Sequence, residues 1–163
     1  MSLTVEIDES KFFHRKYNRG QWREGHWVFG GIERNSGKCF LVEVPDRTEA
    51  TLLGIIERMI LSGTIIMSDG WRAYHNIGNV HGGIYEHHVI IHEENFVSPD
   101  DPNVHTQHVE NMWMRAKKKL RRQYGTSEAL FTSYLHEFLW RNKHRFVNKF
   151  SAFLNCIAEQ YLV

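Results

Sequence analysis

Apolar and polar residues alternate at the start of the chain. Leu3, Val5 and Ile7 interleave with Thr4, Glu6 and Asp8, the period of a strand with one packed and one polar face. A charged, aromatic-bearing stretch without a steady period follows, KFFHRKYNRGQWREG. Two further strand-like runs, HWVFGGIE and KCFLVEV, flank RNSGK, whose Asn35, Ser36 and Gly37 suit a hairpin turn. The period then changes. Leu52, Leu53, Ile56, Met59 and Ile60 recur at helical spacing, which predicts a helix with that stripe inward. Asp46 with Glu49, or Thr48 alone, can cap its start, and Gly63 ends it. TIIMS is short and apolar, a buried strand expected to run parallel to the first because a helix crosses between them. Asp69 and Gly70 close it, a short helical piece follows over 71–75, and IYEHHVII reads as the fifth strand.

Between Glu93 and Val104 the chain is polar and carries Pro99 and Pro102. Beyond it the period is helical. Val109, Trp113, Ala116 and Leu120 share one face of a helix that starts near Thr106. Gly125 and Thr126 interrupt, Leu130, Tyr134 and Phe138 resume, and Phe150, Phe153, Leu154, Ile157 and Ala158 mark a last helix. The order β-β-β-α-β-(α)-β, then helices, predicts an α/β fold: a mixed five-stranded sheet flanked by helices, with a helical C-terminal portion. It is also the order of the ribonuclease-H-like fold. With no repeat or linker, residues 1–163 read as one domain.

Composition adds little until charge is mapped along the chain. An apolar fraction of 42% and a charged fraction of 24% are those of a globular protein. No stretch approaches the roughly 18–20 apolar residues of a membrane span, and the first residues lack the pattern of a secretory signal. The two cysteines, Cys39 and Cys156, are far apart and have no metal-binding spacing. The net charge of +1 conceals an asymmetry. Residues 1–102 hold 10 Lys/Arg against 15 Asp/Glu, whereas residues 103–163 hold 10 against 4. An acidic centre beside a basic surface suits a metal-dependent enzyme acting on a polyanion.

Asp8 is expected at the carboxyl end of the first strand and Asp69 directly after the fourth. If the two strands are parallel neighbours, roughly 5 Å apart, both carboxylates emerge at one sheet edge. There they repel unless a cation or proton lies between them. Mg²⁺ and Mn²⁺ are hard ions that suit such a site. Glu110, at the border of the apolar stripe of its helix, is a third candidate. Glu6, Glu9, Glu93, Glu94, Asp100 and Asp101 compete with it, and spacing does not choose among them.

The same helix continues as RAKKKLRR, with Arg115, Lys117, Lys118, Lys119, Arg121 and Arg122 available to phosphates. The alternative is a solvated charged face. Lys11, Arg15, Lys16, Arg19 and Arg23 form a second basic cluster directly after the first strand. Of the 11 histidines, His105 is the candidate for a phosphate or water contact, although a packing or capping role fits it as well. No zinc-binding, dinucleotide-binding or nucleophile-elbow motif is present.

Several segments together resemble a known family: VEIDESKF, HWVFGGIERNSGKCFLVEVPDRTEATL, IIMSDGWRAY, HEENFVSPDDPNVHTQHVENMWMRAKKKLRR and YLHEFLWRNKH. They look like the ISXO2-like transposase domain, the catalytic core of IS1595/IS1016 elements, and especially the eukaryotic Merlin transposases. The resemblance covers about residues 3–145. It implies a DDE site with Asp8, Asp69 and Glu110 as catalytic and metal-binding residues. Two Mg²⁺ or Mn²⁺ ions would be held there for nicking of double-stranded DNA and transfer of a 3′-hydroxyl. It also implies transposon ends and target DNA as partners, a homo-oligomer of at least two chains, and a nuclear setting in a eukaryote or a cytoplasmic one in a bacterium. Members usually carry an N-terminal end-recognition region, to which nothing in this chain corresponds. The rival readings are a nuclease of the same fold and a catalytically silent scaffold.

Overall fold

A computed structural model describes residues 3–13, 25–90, 105–122 and 128–161; the side chains of Lys119, Arg122 and Glu128 lie outside that description. Five strands form one sheet: β1 (Thr4–Phe12), β2 (His26–Glu33), β3 (Cys39–Val44), β4 (Ile65–Asp69) and β5 (Glu86–Ile90). Their spatial order is β3-β2-β1-β4-β5, with β1 central. β1 and β2 are antiparallel, as are β2 and β3, whereas β1, β4 and β5 run parallel. The sheet is therefore mixed, as the order of patterns predicts.

Helix α1 (Glu49–Met59) joins β3 to β4. Thr48 is its cap, accepting from the backbone N–H of Thr51, while Asp46 in turn accepts from the backbone and hydroxyl of Thr48. The buried face is Leu52, Ile55 and Ile56, with Ile60 just beyond the helix. Met59, expected inside, is exposed. Two short 3₁₀ turns (Arg72–Tyr74 and Ile77–Gly82) link β4 to β5. Helices α2 (Gln107–Arg122), α3 (Phe131–Lys143) and α4 (Lys149–Gln160) complete the chain.

Strand alternation divides the core in two. Val5, Ile7, Phe29, Phe40 and Val44 meet Leu52 and Ile56 of α1 and Tyr74 on one face. Phe12, Val28, Ile32 and Leu41 meet Val109, Met112, Trp113 and Ala116 of α2 and Phe131 and Leu135 of α3 on the other. Gly30 and Gly31 lie where β2 is crowded on both faces. A Cβ on Gly30 would come within 2.7 Å of the Trp113 ring, and one on Gly31 within 2.5 Å of the Phe40 ring. No described helix is long and apolar enough to cross a membrane.

Candidate active site

β1 does not end at Asp8. It continues through Phe12, pairing with β2 as far as Phe12–His26. What ends near Asp8 is its other neighbour. β4 pairs with β1 in the register Thr4–Ile65, Val5–Ile66 and Glu6–Met67, and its last residue is Asp69. Two residues beyond Glu6 and Met67, the same register sets Asp8 beside Asp69 on one face of the sheet. The two residues thus come side by side where the parallel ladder runs out and β1 goes on alone on that side, near enough for the charge of Asp69 to raise the Asp8 carboxyl. The expected edge exists, but β4 creates it, not β1.

Helix α2 lies along this face. Glu6 accepts from the backbone N–H groups of His108 (2.8 Å) and Val109 (3.0 Å), Asp8 Oδ2 accepts from Trp113 Nε1 (3.0 Å), and Ser10 Oγ accepts from Lys117 Nζ (2.5 Å). The contacts advance together because two strand residues span about 6.6 Å and four helical residues about 6 Å. Thr106, Glu110, Trp113, Lys117 and Arg121 recur at the spacing of one helix flank. Glu110 therefore belongs to the flank that touches Asp8 and Ser10, one turn before Trp113, and its side chain is exposed.

Asp8 sits in an unfavourable field. Burial, then the neighbouring charges of Glu9 and Asp69, push its carboxyl up to about 7, against the N–H of Glu9 and the Trp113 indole, which favour the anion. Asp69 is half-buried and caps the turn after β4 by accepting from the Trp71 N–H at 3.0 Å. Beyond that turn, on the opposite face of β1, Glu9 takes the Tyr74 hydroxyl and a 3.4 Å contact from Arg47. The Arg47 guanidinium stands over Trp27 at 3.8 Å and Trp71 at 4.7 Å. Sequence reasoning missed this cluster. Its one early signal was an aromatic residue directly after Asp69-Gly70.

The buried carboxylate of Glu6 proves to be a structural anchor. Besides the two amides of α2 it accepts from Arg34 Nε at 2.7 Å and lies 2.8 Å from His108 Nδ1. An anion here satisfies the open N–H groups and the positive end of α2. His105, a candidate for a phosphate or water contact or for a packing or capping role, helps hold this corner. Its carbonyl accepts from Arg34 Nη2 at 2.5 Å, and its ring stacks on His108 with centroids 5.3 Å apart. Among the described residues, Glu6, His105 and His108 alone bring three potential metal-ligand atoms within 4.8 Å of one another. Such a cluster is capable of coordinating a cation, although Glu6 already has donors on both oxygens. Asp8, Asp69 and Glu110 are not that close together.

The basic run winds around α2 and does not form one face. Lys117 is half-buried at Ser10, where burial and Arg121 lower its pKa while Asp8 raises it. Arg115, Lys118 and Arg121 are exposed, and Arg115 lies near Cys39 on β3, away from Asp8. Lys11 stands exposed at the far end of β1, 5.6 Å above the Trp27 ring. Arg15, Lys16, Arg19 and Arg23 lie outside the described residues, as do the side chains of Lys119 and Arg122.

Residues 4–143 match the family described as the ISXO2-like transposase domain. The chain belongs to this family. A Haemophilus influenzae relative, described as an uncharacterized transposase-like protein, is 30% identical over 104 residues, covering 64% of this chain and 80% of the relative. Membership makes this an enzyme domain of transposase type. Solved structures with the same fold include the catalytic core domain of BIV integrase (TM-score 0.58, 18% identity, 99% of each chain). The HTLV-2 integrase catalytic core domain in complex with magnesium is similar (TM-score 0.54, 14% identity, 85% of this chain and 83% of that one). The ISXO2-like domain thus has the ribonuclease-H-like fold of integrase cores, as its element order implies.

Proposed function

We propose that the domain cuts and joins DNA strands as a DDE transposase, with Asp8, Asp69 and Glu110 as its acidic triad. The observation that carries this reading is the register of β1 and β4, which sets Asp8 beside Asp69 at the end of the parallel ladder. Open sheets of this kind take their ligands outside the carboxyl ends of their strands. Glu110, on the α2 flank that meets Asp8 and Ser10, is the acid nearest at hand from the helix layer.

The donor set fits two Mg²⁺ or Mn²⁺ ions, because it is all oxygen and its charges repel in their absence. Burial, then the charges of Glu9 and Asp69, pushes the Asp8 carboxyl up to about 7, so a cation beside it would favour the anion. When bound, such ions supply Lewis acidity for an attacking water or 3′-hydroxyl and for the leaving oxygen. The protein's own groups hold and aim. Trp113 fixes one Asp8 oxygen, the Trp71 N–H fixes one Asp69 oxygen, and Lys117 with Arg121 sets positive charge beside them for a phosphate. Duplex DNA, as element ends and target, is the substrate this charge pattern suits. Water as nucleophile gives nicking and a 3′-hydroxyl gives strand transfer.

The test is incubation with Mg²⁺ or Mn²⁺ and DNA bearing a pre-cut 3′-hydroxyl end. Joined products support the transposase. Cleavage without joining identifies a nuclease, and metal-independent binding without turnover identifies a scaffold.

A further inference from the structure

The last helix carries its apolar stripe on the wrong side for a core. Phe150, Phe153, Leu154, Ile157 and Tyr161 recur at i, i+3, i+4, i+7 and i+11, and Phe146 stands exposed in the turn before the helix. All six are exposed, led by Phe146 at 86%, Phe150 at 72% and Tyr161 at 66%. α4 meets the body through its other side, where Ala152 is buried and Cys156 half-buried. At the edge of the stripe, Phe153 meets Trp140 of α3 with ring centroids 6.3 Å apart. The two charged residues of α4, Lys149 and Glu159, lie off the stripe.

With about 150–250 Å² for each aromatic side chain, these exposures leave roughly 700 Å² of apolar surface in water. Isolated monomers seldom carry a patch above about 300–600 Å², whereas one partner in a standard interface buries about 800 Å². The α4 stripe from Phe150 to Tyr161, apolar and without a charged residue in it, is also its own complement, the requirement of a two-fold contact.

We propose that a second copy of this chain covers the α4 stripe, joining two protomers helix to helix. This names the surface of self-association, and it stands independently of the catalytic reading because no triad residue takes part.

The full 163-residue chain is followed by sedimentation velocity over a micromolar dilution series, beside Phe150→Asp/Ile157→Asp, Phe146→Asp and, as a control on β5, Val89→Asp. All four positions are exposed, so circular dichroism should show each variant folded. The wild type and Val89→Asp should sediment as dimers. Phe146→Asp and the double variant should raise the dimer dissociation constant at least about tenfold, the loss of one buried hot spot. A wild type that stays monomeric overturns the proposal and leaves the stripe to a different partner. A dimer that survives the double variant overturns it equally, by locating the contact elsewhere.

Discussion

The indole nitrogen of Trp113 donates a 3.0 Å hydrogen bond to Asp8 Oδ2, so a core residue of α2 directly orients a carboxylate of the proposed site. Gly30 makes room for that ring, since any Cβ there would overlap it. Trp113→Phe keeps most of the packing but removes the donor. The variant should lose about 1–3 kcal/mol in urea unfolding, the cost of a buried acceptor left without its partner. Carbon-detected NMR should show the Asp8 carboxyl titrating at higher pH. An unchanged titration would mean that the indole does not hold Asp8.

The raised Asp8 carboxyl makes stability depend on pH. Between its unfolded value near 4 and about 7 in the fold, the folded chain binds more protons, so its stability falls as pH rises through this window. His87 acts oppositely: burial, then His88 and His75, lower it to about 4, and its contribution grows as pH rises from there towards 6.5. Subtracting an Asp8→Asn variant isolates the first effect. In the metal-free state Asp8→Asn should be the more stable protein at pH 8, by about 1–3 kcal/mol, and the gap should close towards pH 4. A constant gap would contradict the burial of Asp8.

Glu6 is one of several acids that spacing does not rank. Its place in the strand period puts it on the polar face beside Asp8, but its partners, Arg34 and the start of α2, lie 28 and 102 residues away in sequence. Glu6→Gln leaves Arg34 without its buried counter-charge and should cost about 3–5 kcal/mol, seen as a lower urea midpoint. Full stability with loss of metal-dependent cleavage would instead make Glu6 part of the site.

The strands, α1 and the β1–β4 crossover were legible because each has a strong local period. Less legible was whatever depends on a distant neighbour. β1 reads as ending at Asp8 because ESKF breaks the alternation. It continues because β2 pairs with it as far as Phe12 and α2 covers Ser10 through Lys117. The α4 period was visible, but a period does not say which way a stripe faces. That Asp8 and Asp69 lie on neighbouring parallel strands was foreseeable in outline, and the register of those strands was not. The choice of Glu110 came from family resemblance.

Charge on α2 can be apportioned. Lys118 and Arg121 are exposed while Lys117 is engaged at Ser10. Lys118→Gln/Arg121→Gln should weaken duplex binding at low salt. It should also reduce the slope of log affinity against log salt by about 0.9 for each phosphate that is no longer neutralised. A slope equal to the wild type, in a folded variant, would make this face merely solvated.

The triad itself is tested by comparing Asp8→Asn, Asp69→Asn and Glu110→Gln with Glu93→Gln and Asp101→Asn. Strand transfer is measured on DNA carrying a pre-cut 3′-hydroxyl end, with calorimetric Mn²⁺ titration of each protein. The first three should remain folded, bind DNA, and lose both metal binding and joined product, while the last two should match the wild type. Full strand transfer by Asp69→Asn, or its loss in Glu93→Gln with Glu110→Gln active, would contradict the assignment.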